Sequence, residues 1–563
     1  MNIRECFNMK NHIEFAKNNI IKSVDSLIEA YHIRMDPEKR KEESLVIWNG
    51  LMEESPIVGL YTNMVMAYYT EGHEHYRDDT LLEYSYKCLE FYADWLHEDG
   101  SSDLIVTNFH DPSQTGFNCL MLDPPLLVMQ KLSQHTPLED KLYEKGLELI
   151  RRTGEAMVNL GFHTPNHRWV ISSALAMHYH LTGDQKYLDH INRFMMEGID
   201  CDEFGEWTER STGSYNYICD RAFVLLGLFL DPSYFEYARR NLRLMLNYLE
   251  PDWTVNTLNS TRWDNGGQYN IAKYFMPYAI LAYIDGDPEF AYMADTITDR
   301  YEAFYADCIM GLFALLHPEY EEKAASIEKK EIAKDRSIFL PGSRMARIFK
   351  PELDMSMTLL CSRHPVFFQM NYGTSLLQVR FAGSFFGDPH SQFRAREIIP
   401  TEDGYKLIAH ERAGYRSQLP EKPETPYWRM MDHSKRDTIN VQEFRTEITV
   451  HILEDGATFD IETFGCDRVP TKLEFVMEAG KKLNTDTICL TTQPGDYLFL
   501  KSGTANYHID GRRYFEIGEG FFKHSYGANM RGAFPQDTGK FTLAMTSDTP
   551  HKSSVTVRAK KIY

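Results

Sequence analysis

Residues 321–350 read EEKAASIEKKEIAKDRSIFLPGSRMARIFK, and the periodicity of the chain changes within them. The charged run 321–335 reads as a solvated helix face and marks a join. From Arg336 onward, RSIFL and RMARIFK alternate at a period of two, the signature of strands. Upstream, from about residue 10 to 325, apolar residues recur three and four apart. They do so in EFAKNNIIKSVDSLIEAYH, TLLEYSYKCLEFYADWLHED, KLYEKGLELIRRTGEAMVNLG, HRWVISSALAMHYHLTGD, QKYLDHINRFMMEGI, YICDRAFVLLGLFLD, PSYFEYARRNLRLMLNYLEP, YNIAKYFMPYAILAYIDGD and PEFAYMADTITDRYEAFYAD. These runs stop at Gly, Asp or Pro. LTGDQKYLDH and IDGDPEFAYM are the same kind of joint, a Gly-Asp turn into a new helix. About a dozen helices in antiparallel pairs follow, irregular in length and without a strict period, which excludes a consensus solenoid. Helical hairpins in that number close into an (α/α) toroid around a central cleft.

Downstream, MSMTLLC, SLLQVRFAGSFF, FRAREII, YKLIAHERAGYRSQ, INVQEFRTEITVHILE, ATFDIETF, KLEFVMEAG, DYLFLKSG, ANYHIDGRRYFEIG, KFTLAMTS and SSVTVRAKK read as strands, with turns at TEDGY, EDGA and IDGRR. The expected fold class is α+β in two domains: a toroid over 1–325 and an antiparallel β-sandwich over 326–563.

The composition of the 563 residues, 43% apolar and 25% charged, is that of a soluble globular protein. Lys plus Arg is 60 against 81 for Asp plus Glu, a net charge of −21. That balance argues against nucleic acid and against anionic membranes as partners. No run approaches 18 apolar residues, the N-terminus has no secretory pattern, and the nine cysteines contain no CxxC pair. Free, mostly buried thiols in a reducing, cytoplasmic setting are expected.

Three polar stretches sit at comparable points of successive helical hairpins. The first is His163-Thr164-Pro165-Asn166-His167-Arg168-Trp169, at a helix start with Thr164 or Asn166 as its cap. Asn166 and His167 then project from a first turn, where free N–H groups favour an anion. The second runs from Gly205 to Tyr217 and contains Glu206, Glu209 and Arg210, with Tyr215 and Tyr217 at the entry to a helix. The third, Asn256–Tyr269, contains Arg262, Trp263, Asp264 and Asn265. An Arg grips a carboxylate bidentately, and a Trp stacks on a sugar ring. In a toroid, joints of one phase open on one face, so the three stretches are expected to converge.

NHRW, followed after about fifty residues by a Glu-x-Ser-x-x-x-Tyr-like segment, resembles the heparinase II/III-like and alginate-lyase-like polysaccharide lyases. Those enzymes join an incomplete (α/α) toroid to an antiparallel β-sandwich. The resemblance implies that Asn166 and His167 neutralise a uronate carboxylate, and that Tyr215, or its close rival Tyr217, moves protons. It also implies a metal pattern of the His-x-His type in the sheet region, which this sequence lacks. No cofactor is required on this reading, and a structural divalent metal in the sandwich is compatible with it but has no support in the sequence.

The chemistry independently accounts for these residue types. Cleaving a uronic acid linked through O4 by β-elimination means removing H5 and expelling O4. The charge that develops on the carboxylate must be stabilised, which suits Asn, His and Arg. A Tyr serves as acid and base only if cations lower its pKa, and Arg210, Arg262 and His167 are candidates for that. Arg168, Arg210, Trp263, Asn265 and Glu209 are expected to contact substrate. Glu206, Glu209 and Asp264 are candidates to orient the basic groups.

In the sheet region the candidate loops are Arg363-His364-Pro365, Gln369–Tyr372, Asp388–Gln392 and His410–Arg416, with His390 and Tyr415 as subsite or acid/base groups. His178 and His180, inside a helix, read as structural. Phosphate loops, dinucleotide fingerprints, zinc spacings and nucleophile elbows are absent from the sequence. The leading expectation is a lyase acting on anionic uronic-acid oligosaccharides, trimming imported chains from an end. Two alternatives stand beside it. One is an unsaturated-uronide hydrolase using Asp264, Glu206 or Asp111. The other is a non-catalytic glycan binder that retains Arg262 and Trp263.

Overall fold

The computed structural model describes His12, the backbone of 46–48 and 51–52, and residues 54–562 apart from 73, 133, 302–307 and 334. The helix expected over EFAKNNIIKSVDSLIEAYH and Cys6 lie outside the described residues. The chain divides into two compact units, one running to Leu249 and resuming over Val255–Ile332, the other made of Glu250–Thr254 and Ala333–Tyr563. The boundary thus falls after Ile332 rather than at 325, and five residues from the helical half of the sequence belong to the sheet unit.

The first unit contains twelve α-helices among its described residues. They are α1 (Ser55–Tyr69), α2 (Asp79–Trp95), α3 (Pro112–Lys131), α4 (Pro137–Asn159), α5 (Pro165–Thr182), α6 (Gln185–Met196), α7 (Tyr215–Phe229), α8 (Phe235–Met245), α9 (Phe275–Asp285), α10 (Pro288–Arg300), α11 (Cys308–Leu316) and α12 (Tyr320–Ser326). Alternate helices pack on one another, α1 on α3, α3 on α5, α5 on α7 and α7 on α9, while α2 contacts α4 and α4 contacts α6. The helices of the first series are apolar on nearly every side and buried accordingly; α5 buries Trp169, Val170, Ile171, Ala174, Leu175 and Met177. The helices of the second series are amphipathic, as helices with one face in solvent must be. Caps match the sequence signals. Thr136 and Glu139 form a capping box on α4, Asp287 caps α10, and Gly183 and Gly286 close α5 and α9 in the left-handed region.

Helix α3 contradicts its own sequence. Pro124 and Pro125 lie inside it and donate no hydrogen bonds to the carbonyls of Leu120 and Met121. Side chains from neighbouring helices take their place. The Cys308 thiol donates to the Leu120 carbonyl at 3.3 Å, and the Thr62 hydroxyl donates to that of Met121 at 2.7 Å. The orphaned acceptors are thereby satisfied without leaving the core.

The second unit is built from two sheets. One has eight strands, in spatial order Tyr497–Phe499, Lys540–Asp548, Pro470–Glu478, Ser375–Gly383, Val366–Tyr372, Met355–Leu360, Met345–Lys350 and Arg336–Leu340. The other has nine, in order Glu397–Pro400, Gly404–Arg416, Thr438–Leu453, Gly456–Gly465, His551–Lys561, Arg513–Gly518, Ala505–His508, Lys482–Asn484 and Cys489–Thr491. Pairing is antiparallel except at one edge, where Tyr497–Phe499 runs parallel to Thr542–Ala544. The sheets share one core, in which Phe368 of the first and Phe459 of the second pack edge to face at 4.9 Å. The turns TEDGY, EDGA and IDGRR close hairpins as expected. Gln369–Tyr372, expected as a loop, is instead the second half of an interior strand, because both faces of VFFQMNY are covered and its apolar run does not alternate.

Of the eight described cysteines six are buried; Cys466 is half-buried and Cys489 exposed. No helix among the described residues is long and apolar enough to cross a membrane.

Candidate active site

The three polar stretches meet within the first unit, at the starts of α5 and α7. Thr164 caps α5 without a side-chain hydrogen bond, so Asn166 and His167 occupy the first turn. Asn166 is fully buried, and its amide donates to Glu209 Oε2 at 2.7 Å and to Thr164 Oγ1 at 3.3 Å. Glu209 Oε1 lies 3.0 Å from Arg262 Nη1. The same guanidinium sits over the Tyr215 ring, 4.7 Å from its centroid. The Tyr215 hydroxyl accepts from Trp263 Nε1 at 3.0 Å, and the Trp263 side chain is 67% exposed, a flat apolar surface turned to solvent. The second and third stretches are also sewn together by backbone. Thr261 donates its N–H to the Glu209 carbonyl, and the Thr212 hydroxyl donates to that of Asn256.

The floor of this cluster is rigid. Asp264, fully buried, accepts from Ser211 and Ser260 hydroxyls at 2.9 and 2.5 Å and from the Gly213 N–H at 3.0 Å. A side chain at Gly213 would place its Cβ 2.6 Å from the Tyr269 ring and 2.9 Å from Asp264, so only glycine fits. Ser211 also accepts the Tyr215 N–H, fixing the start of α7.

Burial dominates the electrostatics. It pushes the His167 imidazole down to about 4, aided by His163 and Arg262 and opposed by Asp111. His167 is therefore neutral at pH 7, which corrects its expected part as a cation beside Tyr215. A neutral imidazole still donates or accepts a hydrogen bond. Burial likewise raises Glu209, against the opposing pull of Asn166 and Arg262. Asn166 Oδ1 and His167 Nδ1 are buried without hydrogen-bond partners.

Several expected members are engaged elsewhere. Arg168 is buried, ion-paired to Glu197 at 3.1 Å and Asp200 at 3.6 Å, and lies over Trp169; it pins α5 to the segment after α6 and does not join the cluster. Asn265 donates to the carbonyls of Leu258 and Ser260 and shapes its own loop. Arg210, at a positive φ of 52°, donates to Asn259 at 3.4 Å. Tyr217 has Arg221 over its ring and packs against Tyr274. The carboxylates of a hydrolase are also committed. Glu206 accepts from the Tyr248 hydroxyl at 2.6 Å, Asp111 caps α3, and Asp264 is the buried hub described above. In the second unit, His390 pairs with Glu411 at 2.7 Å, a carboxylate shared with Arg396, and Tyr415 is exposed beside Phe386.

The fold and this cluster define a class: a helical-hairpin unit with a polar site at the helix starts, followed by paired, mainly antiparallel sheets. Among solved structures the chain is similar to heparinase III, at a TM-score of 0.52 and 12% identity, over 98% of this chain and 85% of that one. It is similar to the Paenibacillus xanthan lyase at a TM-score of 0.56 and 10% identity, over 99% of this chain and 58% of that one. At such identities the likeness is one of fold. No family model matches the sequence, and no curated protein does.

Proposed function

We propose that this protein is a polysaccharide lyase that cleaves uronic-acid-containing oligosaccharides by β-elimination. Its helical unit is an incomplete (α/α) toroid, and substrate lies across the starts of α5 and α7. The observation that carries this reading is the placement of Arg262, between the Glu209 carboxylate and the face of Tyr215. Tyr215, held under that guanidinium with its hydroxyl in contact with Trp263, is the group placed to take H5 and to return a proton to O4. Asn166 Oδ1 is an acceptor in need of a donor, which a protonated uronate carboxyl would supply. A carboxyl held in its acid form makes the adjacent H5 more acidic. His167, neutral, adds a second hydrogen bond to the same group, and Trp263 offers a stacking face to the neighbouring sugar.

The two lyases of similar fold support the reaction class, and the short exposed aromatic face favours oligosaccharides. The reading includes no required cofactor and action in the cytoplasm on imported chains. The test is a panel of alginate, heparan, hyaluronan, chondroitin, pectic and glucuronan oligomers, followed by the ultraviolet absorbance of the C4–C5 double bond. Absorbance must rise with at least one substrate. Cleavage of an unsaturated substrate with loss of absorbance would replace elimination by hydrolysis.

A further inference from the structure

Well inside the helical unit, three side chains with metal-binding atoms face one another. Cys119 and Asp123 lie one turn apart on α3, and His178 comes from α5, which packs against it. All three are fully buried. Their ligand atoms lie within 4.8 Å of one another, and His178 Nε2 is 3.2 Å from Asp123 Oδ2. His178 follows Asn166 by twelve residues, about 18 Å along the helix at 1.5 Å per residue, so this group is remote from the candidate active site.

The group is poorly satisfied as it stands. Neither carboxylate oxygen of Asp123 and neither ring nitrogen of His178 has a hydrogen-bond partner in a suitable geometry. A fully buried carboxylate that faces an imidazole without a well-aligned hydrogen bond is costly, and proteins resolve such an arrangement by closer pairing or by a metal. Around the group, α3 contains Pro124 and Pro125 and depends on Thr62 and Cys308 for its carbonyls, so local helix geometry is held for something other than propensity. Among the described residues this is the one group of three such ligands.

We propose that Cys119, Asp123 and His178 bind a structural zinc ion. A thiolate, a carboxylate and an imidazole together form the mixed S, O, N set that suits Zn²⁺, whose tetrahedral preference tolerates three protein ligands and one further donor. The ion neutralises both anionic ligands and takes the imidazole lone pair, leaving no unpaired charge inside α3 and α5. Binding releases the thiol proton, so affinity falls as pH falls. Because the site is fully buried, the ion has no contact with substrate and its role is to hold α3 against α5. The sequence conceals it because the ligands have the spacing of a helix turn plus a neighbouring helix, not that of a zinc motif.

The test uses the whole 563-residue chain. Protein produced with zinc supplementation and exhaustively dialysed should retain about one zinc per chain by elemental analysis. Refolding with Co²⁺ in place of zinc should give visible d–d bands and a near-ultraviolet thiolate-to-cobalt band. Cys119→Ser should abolish the thiolate band, and His178→Ala should lower retained zinc by tenfold or more. Chelation should lower the melting temperature of the wild type and leave that of His178→Ala unchanged. Wild-type protein that retains less than a tenth of an equivalent of zinc and shows no cobalt–thiolate band overturns the proposal, whether or not the variants fold. So does equal metal retention by wild type and a folded His178→Ala variant.

Discussion

Asn166 Nδ2 lies 2.7 Å from Glu209 Oε2, a bond spanning 43 residues that fixes the first turn of α5 to the loop before α7. The same carboxylate holds Arg262, so one buried acid sets the positions of a neutral donor and a cation from two other loops.

Replacing Asn166 or His167 by Ala should lower turnover by ~10²–10³, the scale for losing one preorganised polar group. Circular dichroism should remain that of the wild type. Near-normal rates in both variants, on a substrate the wild type cleaves, would remove the pair from the site.

Arg262→Lys should weaken both of the residue's contacts, since an ammonium has no planar fork and covers the Tyr215 ring poorly. On an oligomer that the wild type cleaves, kcat/KM should fall by ~10² or more while circular dichroism stays that of the wild type. A near-normal rate would remove Arg262 from the site.

Tyr215→Phe preserves the ring under Arg262 and removes the hydroxyl that Trp263 contacts. Oligosaccharide affinity should stay near normal while turnover falls by ~10² or more, without recovery at alkaline pH. Tyr217→Phe is the control, because Tyr217 faces Arg221 and Tyr274. If both variants cleave at the wild-type rate, tyrosine-based elimination is wrong.

Acid should reveal how strongly the fold resists protonation of His167. Its folded pKa is about 4, below the ordinary value of 6.5. Between those values the unfolded chain takes up a proton that the folded chain refuses. Stability therefore rises with pH through this window and is lost on acidification. The His167 share is up to about 3 kcal/mol, at 1.36 kcal/mol per pKa unit. His167→Gln should gain stability relative to the wild type between pH 7.5 and 4.5, measured by urea unfolding. An unchanged difference across that range would contradict a neutral His167.

The proline pair in α3 makes a prediction about stability alone. Thr62→Val strands the Met121 carbonyl and should cost about 1–3 kcal/mol, the penalty for one buried unsatisfied acceptor. Adding Pro125→Ala returns the helical N–H and should recover part of that loss. Strict additivity of the two changes in a double-mutant cycle would show that the hydroxyl does not substitute for the missing donor.

Much of the architecture was legible because period and punctuation agreed: α5, α6 and α10 carry apolar spacing, caps and stops together, and the long strands alternate. Where one signal was missing the element was missed. Pro124-Pro125 hid α3, and the unbroken apolar faces of α1 and of Val366–Tyr372 hid a helix and a strand that are covered on all sides. The meeting of the three loops was legible in their common phase. What no local pattern contains is how buried each group becomes. Hence the neutral state of His167, the diversion of Arg168 to Glu197 and Asp200, and the central place of Glu209 emerged only from the tertiary contacts.

The segment Glu250–Thr254 bears on how far the two halves of this gene product are interchangeable. Glu250 accepts from the fully buried Arg347 at 3.0 Å and from Ser356 at 2.5 Å, all within the sheet unit. A fragment starting at Ala333 would inherit a guanidinium sealed in the interior with its counter-charge left behind, a defect of several kcal/mol. The sheet half is therefore not a cassette that recombination could transplant by a single junction. Any graft onto another helical partner has to bring an acid in a turn at the position of Glu250, or replace Arg347 with a neutral residue of similar bulk.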